Sequence, residues 1–233
     1  MALPKLNTQS FELTVPSTDE KIKYRPFLVK EEKVLLQARE GSQAEQFDAL
    51  TDVIQSCTFN KIDVKKLPSF DIEYLFLKVR AKSVGEKVTL NLAFPGDENV
   101  KVPTVIDLMK LEVHMDDDHT NKVDLTDSVS VIMQYPTMAT FSGVDVTKMT
   151  SDNAIKLTMD CIYQIIDGVE TYEAADISDK ELREFLENLT QEQFTKIQNF
   201  FVTMPRVKHT ATLTHPKTKK KGKVIIEGIQ SFF

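Results

Sequence analysis

Near the start of the chain, apolar positions alternate with polar ones: Phe11, Leu13 and Val15, then, beyond "PSTDE", Ile22 and Tyr24. A period of two puts every second side chain on one face of a strand, so the runs predict a hairpin. A helix is expected at about residues 30 to 40. Ser42 and Glu45 have capping-box spacing, and Phe47, Leu50, Ile54 and Cys57 follow at intervals that stack on one helical face. Pro68 opens a further helix whose stripe is Ile72, Leu75, Phe76 and Val79 and which ends by Gly85. The period then returns to two. Val88, Leu90 and Leu92, Val100 and Val102, Leu111, Val113 and Met115, and Val129, Val131 and Met133 predict one antiparallel sheet over 86–136. Ile155, Met159, Ile162 and Ile166 predict a helix over about 152 to 167, closed by Gly168. Ser178 with Glu181, and Thr190 with Gln193, are two more capping boxes, and Pro205 stops the second of these helices. A last hairpin, Val207 to Leu213 and Lys223 to Ile226, turns through "KTKKKGK".

Helices and strands are therefore segregated rather than interleaved as βαβ units. The fold class expected is α+β, with helical segments flanking a central antiparallel β-rich segment and a hairpin near each terminus. The expected divisions are 1–85, 86–136 and 137–233, which one compact domain can hold. No repeat of fixed period is present.

At 233 residues, with 41% hydrophobic and 27% charged positions, the chain can bury a sizeable core. The net charge of -6 and pI near 5.3 disfavour the phosphate neutralisation on which nucleic-acid affinity depends. No stretch approaches the roughly 20 apolar residues of a membrane span, and no secretory signal opens "MALPKLNTQSFELTV", so cytoplasmic residence is expected. Cys57 and Cys161 fall on apolar helical stripes and read as small buried thiols. GxGxxG, GxxxxGK[ST] and GxSxG are all missing.

Candidate chemistry is sparse. "HMDDDH" gathers His114, Asp116, Asp117, Asp118 and His119 on one short run, where a solvated acidic loop at a strand end is the expectation and ion binding is left open. His209 and His215 have no acidic neighbour in sequence to orient an imidazole. "KTKKKGK" reads as a hairpin tip kept soluble by charge. No catalytic, metal or cofactor-binding residue is assigned. The aromatic residues expected to contribute to core or partner contact are Tyr24, Phe27, Phe200, Phe201, Phe232 and Phe233. Exposed, Phe232 and Phe233 would be an aggregation hazard, so they are expected in the core or against another chain.

Five stretches, "PFLVKEEKVLL" (26–36), "FDIEYLFLKVRAKSVGE" (70–86), "DCIYQIIDG" (160–168), "FLENLTQEQFTKIQNFFVTMPRVKHT" (185–210) and "GIQSFF" (228–233), together resemble the baseplate protein family of T4-like contractile-tailed bacteriophages, specifically its baseplate hub subunit. The resemblance implies a structural or assembly role without catalysis. Its implied partners are other baseplate hub or tail proteins, with neither nucleic acid nor membrane among them. It implies residence in host cytoplasm during assembly and in the virion tail. A chaperone-like hub assembly factor absent from the finished virion is the alternative, and a metal-dependent hydrolase of the tail hub a more distant one. Some similar proteins carry Cys-x-x-Cys pairs in the middle sheet and the last hairpin. The corresponding stretches here, "LAFPGDENVKVP" (92–103) and "LTHPKTKKKGKV" (213–224), have no cysteine, so no zinc role is carried over.

Overall fold

The computed structural model describes residues 7–142 and 150–227. In chain order the elements are β1 (Phe11–Thr14), β2 (Lys21–Tyr24), α1 (Val29–Ala38), α2 (Gln43–Cys57), α3 (Ser69–Val84), β3 (Lys87–Phe94), β4 (Asp97–Asp107), β5 (Val113–His114), β6 (Lys122–Asp124) and β7 (Val129–Met133). There follow α4 (Met138–Ser142), α5 (Ser151–Asp160), β8 (Ile162–Asp167), β9 (Glu170–Glu173), α6 (Asp179–Glu187), α7 (Gln191–Thr203), β10 (Arg206–Thr214) and β11 (Lys221–Glu227). The class is α+β, with the strand pairs among the described residues all antiparallel and a hairpin near each end.

The capping boxes start helices where their chemistry demands. Ser42 Oγ accepts from Glu45 N at 3.3 Å while the Glu45 carboxylate accepts from Ser42 N at 2.6 Å. Ser178 with Glu181 and Thr190 with Gln193 reciprocate in the same way at the heads of α6 and α7.

The strands of 86–136 do not form the single sheet their shared period predicts. β3 and β4 make a two-stranded sheet, β5 joins β10 and β11, and β6 and β7 join β8 and β9. The physical reason is that the strands serve two cores. Phe94, Ile106, Leu108 and Leu111 pack with Leu77, Ala81, Val207, Ala211, Leu213 and Ile226, whereas Val123, Leu125, Val131 and Met133 pack with Ile162, Ile165, Leu182, Leu186 and Ile197.

The helix expected over 152–167 ends at Asp160, and residues 162–167 are strand. The stripe misleads because Ile162 and Ile166 satisfy a period of two as well as of 3.6. Pairing with β7 and β9 decides the matter. Gly168 is not a helix cap but the first central residue of a two-residue turn, at φ 60°, as a type II′ hairpin requires.

Two compact units result: residues 1–114 with 206–233, and residues 115–205. In the first unit, α3 is the spine, with nine buried positions including the charged Asp71 and Lys78. A further cluster there joins Tyr24, Val53, Cys57 and Val79. The second unit packs α5, α6 and α7 with the sheet β6-β7-β8-β9.

Candidate functional site

In the second unit the acidic run turns after β5, and His119 is drawn inward at the end of α7. Thr203 Oγ1 donates to the Asn199 carbonyl (2.9 Å), so it accepts from His119 Nδ1 (2.9 Å); Nε2 in turn accepts from the Tyr135 hydroxyl (3.0 Å). The imidazole stacks on Tyr135 (centroids 5.6 Å apart) and tilts against Phe200 (5.2 Å), which meets Phe201 edge-on. Burial holds the His119 pKa below its ordinary value, against the opposing pull of Asp116 and Asp118. With both nitrogens engaged, His119 offers no lone pair to an ion. Among the described residues no group of three or more His, Cys, Asp or Glu is placed to hold one. Beside this stack lies an open groove of about 520 Å³ whose floor includes Phe200 and Thr203 and whose rim mixes Lys122 and Lys196 with Asp118, Asp124 and Glu192.

A second groove of about 500 Å³ is lined by Ile155, Leu186, Leu189 and Phe194. The hairpin β8–β9 shows further apolar surface of the second unit. Tyr163 is the extra residue of a β-bulge, since Ile132 pairs with Gln164 and Met133 with Ile162. The bulge leaves its ring 51% exposed. Tyr172 on β9 is 45% exposed, and Val169 at the turn is open to solvent. Residues 115–205 carry 17 Asp and Glu against 6 Lys and Arg, net -11, whereas the rest of the chain carries 18 against 23, net +5.

In the first unit the displaced titratable groups hold the fold. Glu31, buried at the head of α1, receives Arg25 Nη2 (2.9 Å), Ser56 Oγ (3.1 Å) and Leu28 N (2.7 Å). Burial alone would raise its pKa, but these donors bring it down to about 2. Asp71 accepts from Ser17 N (3.1 Å) and Ser17 Oγ, fastening the β1–β2 turn to the first turn of α3; burial raises its pKa over the opposing effect of those bonds. Lys78 Nζ donates to the carbonyls of Leu108 (3.3 Å), Met109 (2.7 Å) and Leu111 (2.8 Å) and lies 4.8 Å above the Tyr74 ring. Burial lowers its pKa, against Glu112 and Asp107. Burial pushes the Cys57 and Cys161 thiols up to about 11 and about 12, which keeps both protonated and poor nucleophiles.

His215 departs from expectation: it has an acidic partner. Its Nδ1 accepts from Lys217 N (3.1 Å) and Thr218 N (3.2 Å), which leaves the proton on Nε2, 3.6 Å from Asp97 Oδ2. Its ring meets Phe94 edge-on at 5.0 Å. Gly222 completes the contact, because a Cβ there would stand 3.1 Å from the Pro95 ring. The two stretches 92–103 and 213–224 thus meet through an imidazole, a carboxylate and apolar rings.

Of the aromatic candidates, Tyr24 (1% exposed) and Phe200 (2%) are buried, Phe200 at the floor of the first groove. Phe27 and Phe201 are half-buried and pack against the two cores, Phe27 with its backbone N–H on Ser83 Oγ at 2.9 Å. Phe232 and Phe233 lie outside the described residues. Tyr163, Val169 and Tyr172 escaped sequence reasoning because 162–167 read as helix. The signal that marks them is Gly168 followed by Val169 between two strand-like runs, glycine being the residue a type II′ turn needs first.

A family model described as T4 bacteriophage base plate protein matches residues 7–233. The chain belongs to this family. Neither a curated protein nor a solved structure matches it. Membership makes the chain a structural protein of the phage baseplate, a component of the tail whose partners are other baseplate and tail proteins. No helix among the described residues is long and apolar enough to cross a membrane.

Proposed function

We propose that this baseplate protein is a subunit of the tail hub that works by protein–protein contact and catalyses no reaction. One observation carries the reading: Glu31, Asp71, Lys78 and His119, four groups whose acidity the fold displaces, are each engaged by structural partners. A catalytic group needs a displaced pKa together with an open approach for substrate, and here the displaced groups have hydroxyls, carbonyls or a guanidinium where substrate would sit. Exposed apolar residues lie on several elements, among them β8, β9 and α1, where Val29 and Leu36 stand one above the other on the outward face. The hub assignment extends the resemblance of the five stretches named above. Co-expression with the neighbouring tail gene products, followed by quantification of the chain in purified mature tails, tests it. Stoichiometric presence at the hub is the expected result. Capture in hub intermediates with absence from finished tails would replace the component reading by that of an assembly factor.

A further inference from the structure

We propose that the outer edge of β9 receives an extended, lysine- or arginine-bearing segment of another protein chain, which adds a fifth strand to the sheet β6-β7-β8-β9. The inference rests on the baseplate reading and names the chemistry of one partner. Among the described residues β9 is the last strand of its sheet, paired only with β8. Asp167 and Glu170 close the two-residue turn, so in the alternation of an antiparallel pair the N–H and C=O of Thr171 point away from β8. Such an edge is a template for a strand from elsewhere, and proteins blunt edges with short strands, with charged side chains, lysine above all, with proline or with a bulge; on β9 the charge is acidic, which closes the edge to like charge and leaves it open to a cationic strand. β11 carries Lys221 and Lys223, β4 carries Lys101 and Pro103, and β6 carries Lys122. β9 reads Glu170-Thr171-Tyr172-Glu173, and the bulge of this hairpin lies on the inner strand, where it turns Tyr163 outward.

Charge selects the occupant. Among the described residues Asp167, Glu170 and Glu173 form no salt bridge; Glu170 accepts only from the Tyr172 hydroxyl and Glu173 only from Gln164 Nε2. They stand in a unit of net charge -11, so an anionic strand is repelled and a cationic one is steered in. Tyr163, Val169 and Tyr172 supply apolar surface beside the edge for the alternate side chains of the incoming strand.

The test uses the full-length chain and two labelled seven-residue probes, one alternating lysine with threonine and valine, the other its twin with glutamate for lysine. Fluorescence anisotropy measures binding at low and high salt, and amide exchange reads residues 168–173. The lysine probe is expected to bind, to be released by salt and to protect the Thr171 amide, while its twin does not bind. E170K/E173K should weaken binding by about tenfold or more by reversing the local field. T171P should weaken it similarly by removing the outward N–H while leaving the charge unchanged. Circular dichroism confirms that each variant retains the fold. Equal binding of both probes, or lysine-probe binding that T171P leaves unchanged, overturns the edge geometry. In tails assembled with E170K/E173K, incorporation equal to wild type also overturns it while leaving the baseplate reading intact. Absence of the wild-type chain from both tails and intermediates would instead sink the underlying reading.

Discussion

Single residues carry the clearest electrostatic consequences. Glu31 takes three donors in a buried setting and its pKa falls from 4.5 to about 2. A carboxylate depressed in the fold contributes stability that is fully present above its unfolded pKa and is lost as pH falls through the folded one. The contribution, on the order of 3 kcal/mol, should therefore disappear between about pH 4.5 and pH 2. E31Q should lose a comparable amount at pH 7, since it leaves Arg25 buried without its counter-ion, and should show a flatter loss across that acid window; urea titrations at pH 7 and in the window check both. His119 has linkage of the same sign from a different cause, burial of the imidazole. Its folded pKa lies below 6.5, so the unfolded chain takes up the proton first, and its share of stability is present above pH 6.5 and lost as pH falls below it. An imidazole titration followed by nuclear magnetic resonance should place His119 below the ordinary histidine range. A midpoint above 6.5 would contradict the buried Thr203–His119–Tyr135 chain. Neither residue's partners are sequence neighbours that a pattern marks, apart from the Leu28 amide, which Glu31 reaches from the third position of its helix as a capping glutamate does.

At the scale of elements, what was legible is what local chemistry decides. Capping is a transaction between residues three apart, so Ser42, Ser178 and Thr190 announced three helix starts, and Pro68 and Gly85 bracketed α3. The first and last hairpins were legible for the same reason. Sheet membership was not, because a period of two says which face of a strand is buried but not which strand lies beside it. Val113 alternates with its neighbours exactly as Leu90 does in pattern, yet it pairs with Val207 of β10. The candidate surface was hidden by the reading of 162–167 as helix, which removed the β8–β9 hairpin and with it Tyr163 and Tyr172. Gly168 now tests that hairpin. Its φ of 60° suits the turn, and a Cβ there would meet nothing within 4 Å, so G168A should cost about 1 kcal/mol through backbone strain alone. Had the residue been a helix C-cap, a cost of similar size would come without change at the strands; amide exchange at β9 distinguishes the two, with faster exchange at Glu170–Glu173 expected from the hairpin.

For the whole molecule, the decisive fact is where the chain leaves and re-enters the first unit. It leaves at His114 and returns at Arg206, and these two residues are Cα partners on the adjacent antiparallel strands β5 and β10. Partners of this kind stand about 5 Å apart, a gap that a short turn spans. Residues 115–205 are therefore an insertion at one point of the first unit, with a hydrophobic cluster of their own drawn from Val123 to Phe200. An insertion is invisible to a reading that divides the chain into successive blocks, because the first unit's strand β10 lies on the far side of ninety-odd residues that belong elsewhere. Replacing 115–205 by a four-residue Gly-Ser-rich turn should leave a protein that retains the helical signal of α1 to α3 and melts cooperatively, because its cluster of Leu77, Ile106, Leu111, Val207 and Leu213 loses no member. Such a variant keeps the basic last hairpin and sheds the acidic unit, so its net charge changes sign and its pI should rise from near 5.3 to the basic range. A shortened chain that is unfolded by circular dichroism would show that β5 and β10 need the inserted residues to hold their register, and the insertion reading would fail.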